Sequence, residues 1–228
     1  MRPAGTVATA ALPAPGWFGR LFARTRRHAP LKAVGTTVYI TAFFVAYFWL
    51  LENPRVPPTV MPLTALDRAV PFSTVWLPAY LSLWLYVSLP PAFIETRRAL
   101  VGYGIAIGAV CVLGLGSFVL WPTAVPPHLV DLANTPEMAL LQGIDATGNA
   151  CPSMHVATAL FSGLWLHRLL AEVGAPRALR LANLLWGVAI VYSTLAIKQH
   201  VAIDMLGGLV LGGLGAWGSL AWYGRLSR

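Results

Sequence analysis

The chain has 228 residues, 57% of them hydrophobic and only 11% charged, with a mean hydropathy of +0.67. A soluble domain carries about 25% charged residues, so this composition excludes an ordinary water-soluble protein and points to one membrane domain. The net charge of +8 would suggest nucleic acid as a partner of a soluble protein, but its placement along the chain supplies another origin, set out below.

Residues 1–15 are rich in Ala and Pro, and Pro13 and Pro15 interrupt their short apolar run. With no cleavage pattern following, they are not read as a secretory signal. Trp17 to His28 places Trp17, Phe18, Leu21 and Phe22 at helical spacing among Arg20, Arg24 and Arg27. It reads as an interfacial helix on the cytoplasmic surface; a solvated basic linker is the alternative.

Apolar runs of about 20 residues, enough to cross the hydrocarbon core as a helix, follow at about 33–51, 73–94, 99–121, 153–170, 181–197 and 201–223. Prolines 78, 90 and 91 fall within or near the second run, where neighbouring helices can satisfy the freed carbonyls. The third and sixth runs are rich in Gly, which permits close helix contact. Cys111 lies mid-span and Cys151 in a loop, so no disulfide is expected. The expected fold is an all-α integral-membrane bundle of six transmembrane helices. Residues 1–32 form an N-terminal segment with the basic interfacial helix, 33–224 the six-helix domain and 225–228 a cytoplasmic tail.

Six spans put both termini on one side. The N-terminal segment, the 95–98 and 168–180 turns and the C-terminus hold thirteen of the sixteen Lys and Arg; Arg55, Arg68 and Lys198 are the other three. Basic residues concentrate on the cytoplasmic side, so both termini are expected there. Much of the positive charge is thus an orientation signal, and nucleic acid is not an expected partner. The compact chain without targeting extensions suits a bacterial inner membrane.

The outer ends carry the chemistry. His200 and Asp204 are one helical turn apart on one face, so the carboxylate can fix the imidazole tautomer and leave the other nitrogen free to attack. His155 opens the fourth span behind Ser153, an expected N-cap. Both of these helices point their N-termini outward, and each is expected to offer free amides to an anion. In this reading His200 attacks phosphorus in line and forms a phosphohistidine. His155 protonates the leaving alcohol and then deprotonates the incoming water or alcohol. Lys198 stabilises the phosphoryl oxygens; Ser153 and Arg68 are further candidate substrate contacts, Arg68 having Asp67 as a rival local partner. The chemistry needs no metal and no cofactor. Two alternatives stay beside it: a metal site made by His155, His200 and Asp204, and a non-catalytic transporter or scaffold. His128, Asp131, Glu137 and Asp145 in the outer loop read as solvated, and His167 and His28 as interface residues.

PSMH at 152–155 resembles the PSGH motif of the type 2 phosphatidic acid phosphatase superfamily, and STLAIKQHVAID at 193–204 resembles its SR-x5-H-x3-D motif. The resemblance covers most of the membrane domain and implies the six-span fold, a lipid phosphate or phospholipid substrate taken from the bilayer, and the roles given to His200, Asp204 and His155. Thr194 stands where the family has Arg and Met154 where it has Gly, and no K-x6-RP motif lies upstream. These departures, with PTAVPP at 122–127, are similar to the branch containing inositol phosphorylceramide and sphingomyelin synthases. That implies phospho-headgroup transfer to a lipid alcohol as the alternative to hydrolysis. His128 departs from this branch, where an Arg is expected. No oligomeric state follows from the resemblance.

Overall fold

A computed structural model describes residues 16–127 and 148–226. Helix α1 spans Trp17–Arg26 and buries none of its residues fully. It docks through Trp17 and Leu21 on a cluster that includes Leu166, Leu170 and Val173, leaving Phe18 and Phe22 exposed. Arg20 donates to the carbonyl of Val173 at 2.6 Å, while Arg24 pairs with Glu172 at 3.2 Å and Glu95 at 3.3 Å. Arg27 also meets Glu95. The basic segment is therefore a docked helix and not a solvated linker.

Helix α2 spans Ala29–Glu52. Only 6% of its apolar window is buried within the protein, so it is an outer wall. A short parallel pair follows, with β1 (Thr59–Val60) on β2 (Thr123–Ala124). It ties the loop after α2 to the loop after α6 (Arg97–Leu120). Between them lie α3 (Ala65–Ala69), capped by Thr64, then α4 (Leu77–Leu81) and α5 (Leu83–Phe93).

The run expected as one span over 73–94 is thus in pieces, beginning with a 3-10 turn at Thr74–Trp76. At the Ser82 junction the dihedrals stay helical and the bonds from Ser82 N–H to Pro78 and from Tyr86 N–H to Ser82 persist, while its hydroxyl donates to the Ala79 carbonyl at 2.7 Å and accepts the indole N–H of Trp186 at 3.1 Å.

Among the described residues the remaining helices are α7 (Met154–Glu172), α8 (Arg177–Ala196) and α9 (Ala202–Leu226). Helix α7 is the axis of the bundle, with twelve buried residues. Gly208 and Gly212 bring α9 against its backbone: a Cβ at Gly212 would lie 2.8 Å from Ala157 Cα, and one at Gly208 2.5 Å from the Ser153 carbonyl oxygen. Deeper in, Trp165 donates to Ser219 Oγ at 2.9 Å. On the opposite side a polar knot joins three helices. Tyr86 donates to Asn183 Oδ1 at 2.9 Å, and Asn183 Nδ2 donates to the Gly163 carbonyl at 3.0 Å.

Among the described residues four helices, α2, α6, α8 and α9, are long and apolar enough to cross a membrane. Their outward faces carry exposed Val38, Val45, Ile105, Val112, Leu185, Val188, Val210 and Leu214. Such inside-out patterning is expected where lipid is the solvent. Helix α7, enclosed by its neighbours, needs no such face. The contacts among Arg24, Glu95, Arg168, Glu172 and Tyr223 gather the basic turns at one end of the bundle. The other end carries α3, the strand pair and the two histidine-bearing turns.

Candidate active site

Ser153 caps α7, its Oγ accepting the Val156 N–H at 3.2 Å. Its own N–H donates to the Asp204 carbonyl at 2.9 Å. That bond and the glycine contact below it hold the first turns of α7 and α9 together, which sets His155 beside the His200–Asp204 turn.

His155 is 7% exposed and stacks on Tyr80, with ring centroids 3.8 Å apart and planes at 12°. The ring of Trp84 stands edge-on at 6.2 Å. His200 is also 7% exposed, and Asp204 is fully buried. Nδ1 of His200 lies 3.6 Å from Asp204 Oδ2, just beyond hydrogen-bond distance. The same Oδ2 accepts the Val201 N–H at 3.0 Å. With Nδ1 facing Asp204, Nε2 is the ring nitrogen turned away from it.

Both histidines line one cavity of about 310 Å³, walled by α2, α4, α5, α6 and α7. Of the seven buried side-chain polar atoms without a hydrogen-bond partner among the described residues, four gather here: His155 Nε2, His200 Nδ1, Asp204 Oδ1 and Tyr80 OH. Buried polar atoms are nearly always hydrogen-bonded, so this concentration beside a cavity marks a place prepared for polar groups from outside. No three His, Cys, Asp or Glu side chains among the described residues converge as a metal cage.

The turn that presents His200 is built by Lys198. It occupies the left-handed region at φ 59°, the C′ position of a Schellman ending to α8. The Gln199 N–H bonds to the Thr194 carbonyl at 3.1 Å and the Lys198 N–H to the Leu195 carbonyl at 3.2 Å, the bond pair of that motif. Glycine is usual there. Lysine is held because its Nζ donates to the carbonyls of Asp67 at 2.9 Å and Val70 at 2.5 Å. Burial pulls its pKa below the ordinary lysine range, against the opposing charge of Asp67. The amine expected to meet phosphate is thus committed to α3.

Asp67 completes the clamp. Its Oδ2 accepts from Thr64 N at 2.7 Å and Thr64 Oγ1 at 2.8 Å, and its Oδ1 accepts the Ala202 N–H at 2.8 Å. The expectation of free amides at the start of α9 fails for two of them: Val201 and Ala202 give theirs to two carboxylates. Asp67→Ala is expected to cost about 1 kcal/mol, as the loss of a helix cap does. The readout is the melting midpoint in detergent; an unchanged midpoint would show that the clamp contributes nothing.

Of the other candidates, Ser153 is fully buried with its oxygen used as a cap. Arg68 is exposed on α3 and forms no ion pair among the described residues. Its expected neighbour Asp67 faces Thr64 and Ala202 instead. Met154 fills the notch left by Gly114 on α6. Thr194 is buried, and its carbonyl also accepts the His200 N–H at 3.2 Å. His128, Asp131, Glu137 and Asp145 lie outside the described residues. Sequence reasoning missed Asp67 and Tyr80. The T-x-x-D spacing of Thr64 and Asp67 signals a capping box; nothing local marks Tyr80 off from a core aromatic.

A sequence model described as the PAP2 superfamily matches residues 95–228, which takes in α6 to α9 and both histidine-bearing turns. No curated protein and no solved structure matches the chain.

Proposed function

Since the chain belongs to the PAP2 superfamily, whose members are generally phosphoesterases or phosphotransferases, we propose that it cleaves the phosphoester of a membrane lipid through a phosphohistidine on His200. The observation that carries this reading is the meeting of His155 and the His200–Asp204 pair at one apolar cavity. Asp204 holds Nδ1 and stabilises the positive charge the ring acquires. Nε2 attacks phosphorus as the ester P–O bond breaks, and protonated His155 gives its proton to the departing alkoxide. His155 then takes a proton from water, which attacks the phosphohistidine and releases phosphate. Tyr80 OH is a donor for a phosphoryl oxygen. No metal or cofactor enters these steps.

The two halves 77–81 and 83–93 together make one crossing, and α7 another, so that the membrane domain has six. Residues 1–32 form a cytoplasmic segment around α1, 33–224 the bundle and 225–228 a tail. The concentration of Lys and Arg at one end supports cytoplasmic termini and a site facing the exterior, or the periplasm of a bacterial inner membrane.

A second reading is transfer of a phospho-headgroup to a lipid alcohol, as in the inositol phosphorylceramide synthase branch. One observation favours it. Lys198 is committed to carbonyls, and Thr194 replaces a guanidinium, so little cationic charge meets the substrate. A phosphodiester carries one negative charge, whereas a monoester carries about 1.5 to 2.

The test is phosphate release from a panel of lipid phosphates, with chelator, in right-side-out and inverted vesicles. Release to the outer medium of right-side-out vesicles, insensitive to chelation, is expected. Loss on chelation would favour a metal site at His155, His200 and Asp204. Release confined to inverted vesicles would reverse the topology. Headgroup exchange without phosphate release would establish the transferase; neither activity would leave a transporter or scaffold.

A further inference from the structure

Resting on the lipid phosphoester reading, we propose that the cavity below His155 and His200 seats a single long hydrocarbon chain, and that its far end, bounded by Lys32 and given room by Gly104, sets the chain length accepted.

The cavity is long rather than wide. Its wall on α2 runs from Tyr47, whose carbonyl accepts from Asn149 Nδ2 just before the start of α7, to Leu31 and Lys32. At 1.5 Å per residue that is about 24 Å, whereas half of the hydrocarbon core is about 15 Å. A chain held by its headgroup at the histidines would pass the bilayer midplane before reaching the end. The volume, about 310 Å³, lies at the low end for small-molecule sites. Spread over that length it suits one chain and not two side by side.

Below the polar head the lining is nearly all hydrocarbon and aromatic. Leu81, Trp84 and Val101 line the cavity and are also exposed on the outer surface, so a chain can enter sideways from lipid. Lys32 bounds the far end, where it is buried with Nζ donating to the carbonyls of Arg24 at 2.7 Å and Ala92 at 2.8 Å. Its ammonium is pinned into the α1–α5 junction, which floors the cavity on that side.

Two glycines give the deep half its room. At Gly108 the hydroxyl of Tyr39 fills the space a side chain would take, so α2 and α6 touch at that level. One turn further from the histidines, Gly104 lines the cavity, and a Cβ there would meet nothing within 4 Å. The same holds for Gly35 on α2. A leucine at 104 would occupy the deep half and leave the histidine end untouched.

The experiment uses hexadecyl phosphate with a diazirine on its terminal carbon, photolysed with the full-length protein in detergent, beside hydrolysis of hexadecyl and octyl phosphate. Cross-links are expected within 31–36 and 100–104, and they should vanish in Gly104→Leu. The hexadecyl-to-octyl preference should fall about tenfold in that variant, the scale set by denying room to a few methylenes. Gly116→Leu, on the same helix with open space at its Cβ and outside the cavity lining, should keep the wild-type ratio. Cross-links scattered over lipid-facing residues such as Val112 and Leu185, or an unchanged ratio in Gly104→Leu, would overturn the proposal. If no phosphate is released, the cross-links alone decide it: floor labelling upholds the chain site while the catalytic reading fails. Phosphate release with labelling elsewhere does the reverse.

Discussion

His200→Ala is expected to lower phosphate release by at least about 10⁴-fold, because residues that act as one catalytic unit fail together. The imidazole is the only group of its unit placed to attack, being backed by a fully buried carboxylate and facing an apolar cavity. Its loss should leave the fold in place. Asp204 Oδ2 keeps the Val201 N–H, and the turn itself is held by backbone bonds and by Lys198, none of which uses the ring. His155→Ala separates the roles. A general acid and base contributes about 10² to 10⁴, so that variant should retain more activity at saturating substrate. It should also accumulate phosphoprotein after acid quench, since hydrolysis of the intermediate needs a base; His200→Ala should show none. The double variant should fall no lower than His200→Ala. Wild-type turnover in His200→Ala would end the nucleophile assignment.

The extent to which this site was legible follows the range of its contacts. His200 and Asp204 are four apart in sequence, and that spacing suffices to pair them, although His200 lies in the turn before α9 and not on the helix as expected. Ser153 as N-cap is equally local, and the cap is observed. The surroundings of Lys198 are not legible in the sequence, which shows its charge but neither its backbone conformation nor its partners on α3. An unpaired lysine on the outer side reads as a phosphate ligand until the carbonyls of Asp67 and Val70 are seen around it. The Asp67 bond to Ala202 spans 135 positions, and no periodicity reports such a bond. Four spans were legible as continuous apolar runs. The division of the 73–94 run at Ser82 is not legible in the sequence, nor is the contact of that residue with an indole from α8, which only the packed bundle supplies. The cavity was invisible for the same reason: its walls come from five helices, and the residues that shape it, Gly104 and Tyr39, look in the sequence like ordinary span residues.

The glycines of α9 carry the largest expected structural effect. At Gly212 a Cβ would stand 2.8 Å from Ala157 Cα and 2.9 Å from its carbonyl carbon. These are backbone atoms of the central helix and cannot rotate away. Overpacking a close contact costs about 1–3 kcal/mol, and Gly212→Leu, which adds a branched side chain to that Cβ, should reach the upper end of the range. For a chain of this size the melting midpoint would fall by about 6–12 °C, taking 2–4 °C per kcal/mol. The catalytic loss should exceed what that destabilisation implies. Helix α9 carries Asp204 two turns before Gly212, and α7 carries His155 half a turn before Ala157, so forcing the helices apart separates the two halves of the site. A misplacement of about 1 Å costs about 10²-fold, and that loss should persist at temperatures where the variant remains folded. Gly218→Leu supplies the comparison on the same helix: Gly218 is exposed and nothing lies within 4 Å of its Cβ position, so its stability should stay within about 0.5 kcal/mol of wild type. Should Gly212→Leu melt and turn over as Gly218→Leu does, α7 and α9 are not held at glycine distance, and the packing account of how His155 reaches His200 fails with it.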